Sequence, residues 1–149
     1  MKAKTIIFPT DLSSSSDAAL AHATSLARDM RAKLLIVHVE EPPMAYGPSG
    51  EMYYGIPAPN PAELLRMLHA VRPEDPEVAF EHRLLPGDPA GAITELARKE
   101  NADLIVMGTH GRTGLVRLLM GSVAEAVVRR AKCPVFIFKL QATNSNASA

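Results

Sequence analysis

The sequence predicts an α/β fold in which helices cover both faces of a doubly wound, five-stranded parallel sheet. Its short apolar runs are continuous rather than alternating, as in strands that are buried on both faces. Stretches with helical periodicity separate the runs, so the predicted order is β-α-β-α-β-α-β-α-β. The four continuous runs are Thr5–Phe8, Leu34–Val39, Leu104–Met107 and Val135–Phe138.

The remaining strand and the helices follow from local composition. The run Val78–Leu85 carries charged residues in its middle and is therefore predicted at an edge of the sheet. Asp88 is predicted to cap the third helix, with Pro89 at its first position. In the second helix Leu64, Leu65 and Leu68 are predicted to face inward; the first helix should bury Ala19, Ala23, Leu26, Ala27 and Met30. The predicted helices cover about 14–31, 61–71, 89–100 and Ser122 to just before Pro134.

The segment 41–60 is unusual because it joins two elements through a long stretch rich in proline and glycine. It holds all three tyrosines of the chain, Tyr46, Tyr53 and Tyr54. Loops of this length inside a compact domain are functional or disordered. A lid or a partner contact is one interpretation, and a mobile insertion is the simpler one that we prefer.

Composition limits the class of protein. The chain has 149 residues with 16 basic and 16 acidic side chains, so no general attraction to nucleic acid is expected. Its apolar runs are too short for a signal peptide or a membrane span. The single cysteine excludes an internal disulfide. We expect one cytoplasmic domain at 1–140, followed by a disordered tail at 141–149.

The segment from Gly108 to Ser122 carries the clearest functional signal. It follows a buried strand, contains Gly108, Gly111 and Gly121, and precedes a helix. Glycines let the main chain approach a ligand closely, and the N–H groups of a helix start attract anions. Ser122 offers a hydroxyl at the predicted cap position, and Arg112 could add positive charge. The alternative is a tight crossover with a capping serine and no ligand.

Other phosphate motifs are missing. The sequence contains no Gly-Lys dipeptide, which excludes a Walker A loop. The first turn, from Phe8 to Ser13, has no glycine, so the dinucleotide fingerprint expected after the first strand is absent.

The spacing Gly-x2-Gly-x9-Gly-Ser at Gly108, Gly111, Gly121 and Ser122 resembles the ATP-binding motif of the universal stress protein family. The segments around Ile7–Ser13, Ile36–Val39, Asp103–Gly108 and Cys133–Val135 complete the resemblance, which spans about residues 4–139. It implies a Rossmann-like sheet of strand order 3-2-1-4-5, with the ligand at the switch point between strands one and four.

The resemblance also implies a set of binding residues. The ligand would be ATP, with or without Mg2+. Its adenosine half would lie against Pro9, Thr10, Asp11 and Val39. The ribose and phosphates would lie against Gly108, Gly111, Gly121, Ser122 and Val123. Arg112 is added to this set from its charge and its place in the glycine loop, and not from the resemblance. For Asp11, a contact to ribose hydroxyls and a capping role at the first helix are equally good interpretations.

The remaining candidates are weaker. His110 lies in the glycine loop and is interpreted as a solvated residue in preference to a phosphate or metal ligand. His38 is predicted to be a hydrogen-bonded core histidine, and Cys133 an inert small hydrophobic residue.

Three functions stay open. A regulatory protein that holds adenine nucleotide with at most slow hydrolysis is favoured, because the loop offers no lysine and no evident base for phosphoryl transfer. An ATPase or nucleotidyl enzyme and a stress-induced interaction protein that binds no nucleotide are the alternatives. The regulatory partner cannot be named from the sequence.

The last strand predicts assembly. In strand order 3-2-1-4-5 the segment Val135–Phe138 lies at a sheet edge without charge or proline, and such edges invite pairing. A homodimer through this strand is therefore expected, as the resemblance also implies. The alternative is a monomer whose tail, Lys139–Ala149, covers the edge.

Overall fold

The computed structural model describes residues 4–13, 16–41, 45–46, 52–53, 60–109 and 121–139. The elements in chain order are β1 (Lys4–Pro9), α1 (Ser16–Met30), β2 (Ala32–Glu40), β3 (Ala45–Tyr46), β4 (Met52–Tyr53), α2 (Pro61–His69), β5 (Phe80–Pro86), α3 (Pro89–Lys99), β6 (Leu104–Gly108), α4 (Ser122–Arg130) and β7 (Val135–Phe138).

The main sheet has five strands in the order β5-β2-β1-β6-β7, and every neighbouring pair is parallel. Counted along the chain within this sheet, the order is 3-2-1-4-5, which confirms the predicted fold. The chain moves outward from β1 to β5 on one side and then returns to start β6 on the other side. The connections that follow β1 and β6 therefore leave the sheet toward opposite faces, α1 on one and α4 on the other. Open α/β sheets bind ligands at the crevice between two such connections.

The sheet is buried on both faces, as the continuous apolar runs predict. One face packs against α1 and α2, and the other packs against α3 and α4. Residues alternate between these faces along each strand: Ile6 and Phe8 lie on the first face and Ile7 on the second. The first core cluster holds Ile6, Phe8, Leu34, Ile36, Val106, Ala19, Ala23, Ala27 and Leu68, and the second holds Ile7, Leu35, Val37, Ile105, Met107, Ile93, Leu96, Ala124 and Val127.

The helices agree with the sequence in most details. The Asp88 side chain accepts a hydrogen bond from the Gly91 N–H at 2.9 Å, and Pro89 begins α3 as predicted. The inward prediction for Leu65 is wrong, because this side chain is 40% exposed while Leu64 and Leu68 are buried. The helix turns Leu65 away from the sheet, since a residue one position past Leu64 lies about 100° around the axis.

The long segment 41–60 contains a short antiparallel pair of strands. Ala45 pairs with Tyr53, and Tyr46 pairs with Met52. This local pairing was not predicted from the sequence, because runs of two residues are too short to show a periodicity. Tyr54 lies outside the described residues. No helix in the described part of the chain is long and apolar enough to cross a bilayer.

Cys133 follows α4 and is half-buried. Burial raises the pKa of its thiol above the usual value, and the nearby Asp103 carboxylate raises the pKa further. Because only the thiolate attacks alkylating agents, we expect iodoacetamide to modify native Cys133 more slowly than the urea-unfolded chain at mildly alkaline pH. The native rate should keep rising above the pH at which the unfolded rate levels off. Equal rates for the native and unfolded chains would contradict this.

Candidate functional site

A cavity of about 490 Å³ opens at the carboxyl ends of β1, β2 and β6, within the size range of small-molecule sites. Its wall is completed by the N-terminal parts of α1, α3 and α4 and by Leu64 of α2. Its lining, from β1 to α4, is Phe8, Pro9, Thr10, Asp11, Ser16, Ala19, Val37, His38, Val39, Glu40, Glu41, Leu64, Pro89, Ile93, Met107, Gly108, Thr109, Gly121, Ser122, Val123 and Ala124.

The edge of β2 presents main-chain groups to this cavity. The Thr10 N–H donates to the Val37 carbonyl oxygen at 2.8 Å, and this is the last rung of the ladder between β1 and β2 among the described residues. Main-chain groups of residues two apart point to the same side of a strand. The N–H and C=O of Val39 therefore point toward the space that β1 leaves. Together they form an adjacent donor and acceptor, the pattern that reads the edge of a nucleobase.

The turn after β1 explains why that space is open. Leu12 has a φ of 66°, which swings the chain away from the sheet and into α1. The turn is held by side chains: the Leu12 N–H donates to Thr10 Oγ1 at 3.0 Å and the Ser13 N–H donates to Asp11 Oδ1 at 2.9 Å. Thr10 Oγ1 also lies 3.1 Å from Ser16 Oγ. The ends of β1 and α1 are thereby tied together at the cavity wall.

Asp11 takes part in this turn and also borders the cavity. Its carboxylate accepts from both the N–H and the hydroxyl of Ser13, which agrees with a role in starting α1. A carboxylate at this position can also accept from ligand hydroxyls, so one side chain can serve both interpretations.

The N-terminus of α4 faces the same cavity. The residue that caps α4 is Gly121, and Ser122 is the first helical residue, so the prediction of a capping Ser122 hydroxyl is wrong. Gly121 has an extended conformation (φ −61°, ψ 163°) and provides no side-chain cap. By contrast, Asn60 and Asp88 cap α2 and α3 with their side chains.

Three N–H groups at the start of α4 consequently have no acceptor within the helix. The first internal bond runs from the Glu125 N–H to the Gly121 carbonyl oxygen at 3.0 Å. The N–H groups of Ser122, Val123 and Ala124 precede it, and all three residues line the cavity. The Gly121 N–H donates to the Thr109 carbonyl oxygen at 2.6 Å, which fixes the helix start beside the end of β6. This arrangement attracts anions.

The structure brings most of the predicted site together. Eight of the predicted residues line the cavity: Pro9, Thr10, Asp11, Val39, Gly108, Gly121, Ser122 and Val123. Gly111 and Arg112 lie outside the described residues, as does His110. In the described part of the chain there is no group of three or more His, Cys, Asp or Glu residues that could hold a metal ion.

Sequence reasoning missed several parts of the wall. Pro89 and Ile93 reach the cavity because α3 starts at the same edge of the sheet as α1 and α4. That position follows from the doubly wound topology and could have been anticipated from it. His38 was predicted as a core histidine, and its burial and its hydrogen bond to Thr10 confirm this; its place in the cavity wall was not predicted.

A doubly wound parallel sheet with a ligand-sized cavity at its switch point defines a small α/β domain of the kind that binds ligands beyond its strand ends. The family model described as universal stress protein matches residues 2–139. The chain therefore belongs to the universal stress protein family.

Individual relatives agree with this assignment. A universal stress protein of Methanocaldococcus jannaschii is 37% identical over 147 residues, covering 91% of this chain and 82% of the relative. A solved universal stress protein in complex with cAMP is 30% identical, has a TM-score of 0.62 and covers 95% of this chain and 100% of its own. An Archaeoglobus fulgidus universal stress protein in complex with dAMP shares the fold, with 20% identity, a TM-score of 0.60 and coverage of 93% and 100%.

Proposed function

We propose that this chain is an ATP-binding regulatory protein of the stress response, which holds the nucleotide in the cavity and hydrolyses it slowly at most. The observation that carries the proposal is the pairing of two complementary surfaces in one cavity. The edge of Val39, which no described strand pairs, suits an adenine base, and the N-terminus of α4, whose Gly121 provides no side-chain cap, suits phosphates. The solved relatives that hold cAMP and dAMP support an adenine nucleotide as the ligand.

The slow turnover in this proposal has a chemical reason. Phosphoryl transfer needs a cation cluster at the transferred phosphate and a group that positions the nucleophile. The acidic residues of the described cavity wall are Asp11, Glu40 and Glu41, and we assign Asp11, in the turn directly after β1, to the sugar. Tight retention without turnover suits a protein whose state reports the nucleotide level to a partner.

The direct test is to ask whether purified protein carries nucleotide, and to titrate stripped protein with ATP, AMP and cAMP by calorimetry. Repeating the ATP titration with Mg2+ and with EDTA measures whether the ion contributes. A protein that binds none of the three nucleotides would contradict the proposal. Turnover that proceeds at an enzymatic rate would favour an ATPase instead.

Asp11 offers a prediction within this proposal. Asp11→Ala should weaken ATP binding by about 1–3 kcal/mol, the size of a lost hydrogen bond to a charged group. Asp11→Asn is the matched control for the turn, because it keeps an oxygen for the Ser13 N–H while an NH2 donor replaces the other carboxylate oxygen. Calorimetry measures affinity, and thermal unfolding shows whether the turn survives. Unchanged ATP affinity in a folded Asp11→Ala protein would leave Asp11 with its structural role alone.

We also propose that the chain forms a homodimer through β7. The Ile105 N–H donates to the Pro134 carbonyl oxygen, and the Thr109 N–H donates to that of Phe138. The main-chain groups of Pro134, Phe136 and Phe138 are thus directed toward β6, so those of Val135 and Ile137 point outward from the sheet.

The side chains of β7 support the same proposal. Phe136 is 44% exposed, although it stacks on Phe138 with ring centroids 4.6 Å apart. His22 of α1 stacks on the other face of this pair, 4.1 Å from Phe138. An edge strand with open main-chain groups and an exposed aromatic ring suits an antiparallel copy of itself.

A further inference from the structure

His38 lies in the wall of the cavity, and the described residues hydrogen-bond to one of its two ring nitrogens. Nδ1 is 2.9 Å from the Thr10 carbonyl oxygen. Because a carbonyl oxygen only accepts, Nδ1 carries the proton, and in the neutral ring Nε2 is then an acceptor. None of the described residues hydrogen-bonds to Nε2. The residue is only 8% exposed, so this acceptor has little contact with bulk water.

The His38 ring lies on the α1 side of the sheet. Side chains alternate between the two faces along a strand, so His38 lies on the same face as Ile36 and on the opposite face from Val37 and Val39. On this side the cavity wall carries the apolar side chains of Phe8, Ala19 and Leu64 beside the hydroxyls of Thr10 and Ser16. The residue lines the cavity, and Nδ1 is taken by Thr10, so Nε2 is the ring nitrogen available to a ligand. An acceptor in this largely shielded wall suits a flat heterocycle that carries a donor on its rim.

Given the proposed nucleotide site, we propose that His38 Nε2 accepts a hydrogen bond from the 6-amino group of the bound adenine and makes the site specific for that base. The amino group has two protons. One is suited to the carbonyl oxygen of Val39, and the second is left for the side chain of the preceding residue. Hypoxanthine and guanine carry an oxygen at position 6, which would face the lone pair of Nε2 without a proton between them. A site with such an unpaired acceptor rejects the wrong base.

His38→Asn is the variant that isolates this contact. The amide nitrogen of asparagine can occupy the place of Nδ1 and donate to the Thr10 carbonyl oxygen, while nothing replaces Nε2. Calorimetry would compare ATP with purine riboside triphosphate, which lacks the 6-amino group, on both proteins. The dissociation constant of purine riboside triphosphate divided by that of ATP should be about fivefold larger for the wild type than for His38→Asn. This factor corresponds to the free energy of one neutral hydrogen bond. Equal ratios in the two proteins would overturn the assignment.

A second measurement needs no variant. In wild-type protein with 15N-labelled histidine, the Nε2 resonance of His38 should shift upfield on ATP binding and stay in place with the analogue. A bound ATP that leaves this resonance unchanged would also overturn the assignment, even if His38→Asn failed to fold. Failure of the wild type to bind ATP at all would instead contradict the proposed function, so the two failures are distinguishable.

Discussion

Replacing Gly121 with valine is expected to raise the dissociation constant for ATP by at least about a hundredfold. Gly121 is the cap of α4, and the three N–H groups that follow it face the cavity. A side chain here would hold phosphates away from those groups. Hydrogen bonds to a charged group contribute about 1.5–3 kcal/mol each, so losing two of them accounts for the expected change.

The backbone of Gly121 makes this substitution a clean test. Its φ of −61° is open to any residue, so valine introduces no backbone strain. Ala131 ends the same helix in nearly the same conformation, with φ −68° and ψ 144°, which makes Ala131→Val the matched control. The control should bind ATP like the wild type. If Gly121→Val retained wild-type affinity in a calorimetric titration, the phosphates would have to lie elsewhere.

The second large effect is expected at β7, where Ile137→Pro should convert a dimer into a monomer. The Ile137 N–H points outward, so proline removes a donor from the proposed interface while the hydrogen bonds to β6 remain. Two symmetric bonds at about 1 kcal/mol each predict about a thirtyfold weaker dimer, before the clash of the proline ring is added.

Ile137→Ala is the control, because it shortens the same side chain and keeps the N–H. Analytical ultracentrifugation at micromolar concentration should show a dimer for the wild type and for Ile137→Ala, and a monomer for Ile137→Pro. A wild type that sediments as a monomer would refute pairing through this edge.

The sequence predicts this fold well because apolar runs and helix-capping residues, the two features that indicate it, depend on neighbouring residues alone. Continuous apolar runs are typical of strands that are covered on both faces, and Asp88 followed by Pro89 marks the start of α3. The prediction that Leu65 faces inward was wrong, because a pair of adjacent leucines in a helix does not indicate which one faces the core. The short pairing of Ala45 with Tyr53 is too brief to leave a pattern.

The site was predictable to the extent that it depends on strand ends and glycine spacing. Pro9, Thr10 and Gly108 lie together because parallel strands end at one edge of the sheet. The cap of α4 was misplaced by one residue, since a Gly-Ser pair favours serine as the cap and only the backbone shows that glycine takes that position. That the described residues leave His38 Nε2 without a hydrogen bond could not be predicted, because it depends on a contact between a β2 side chain and the main chain just after β1.

The early end of β1 leaves β2 three residues longer than its neighbour, and within the described part of the chain no strand pairs with the β1 side of Val39. A bound base would act there as the next rung of the sheet, so the nucleotide would become part of the folded structure. Its binding would then add to the free energy of unfolding, by about 2.7 kcal/mol at a hundred times the dissociation constant. Proteases attack proteins through their opened states, so a cell rich in nucleotide would keep each copy for longer than a starved one.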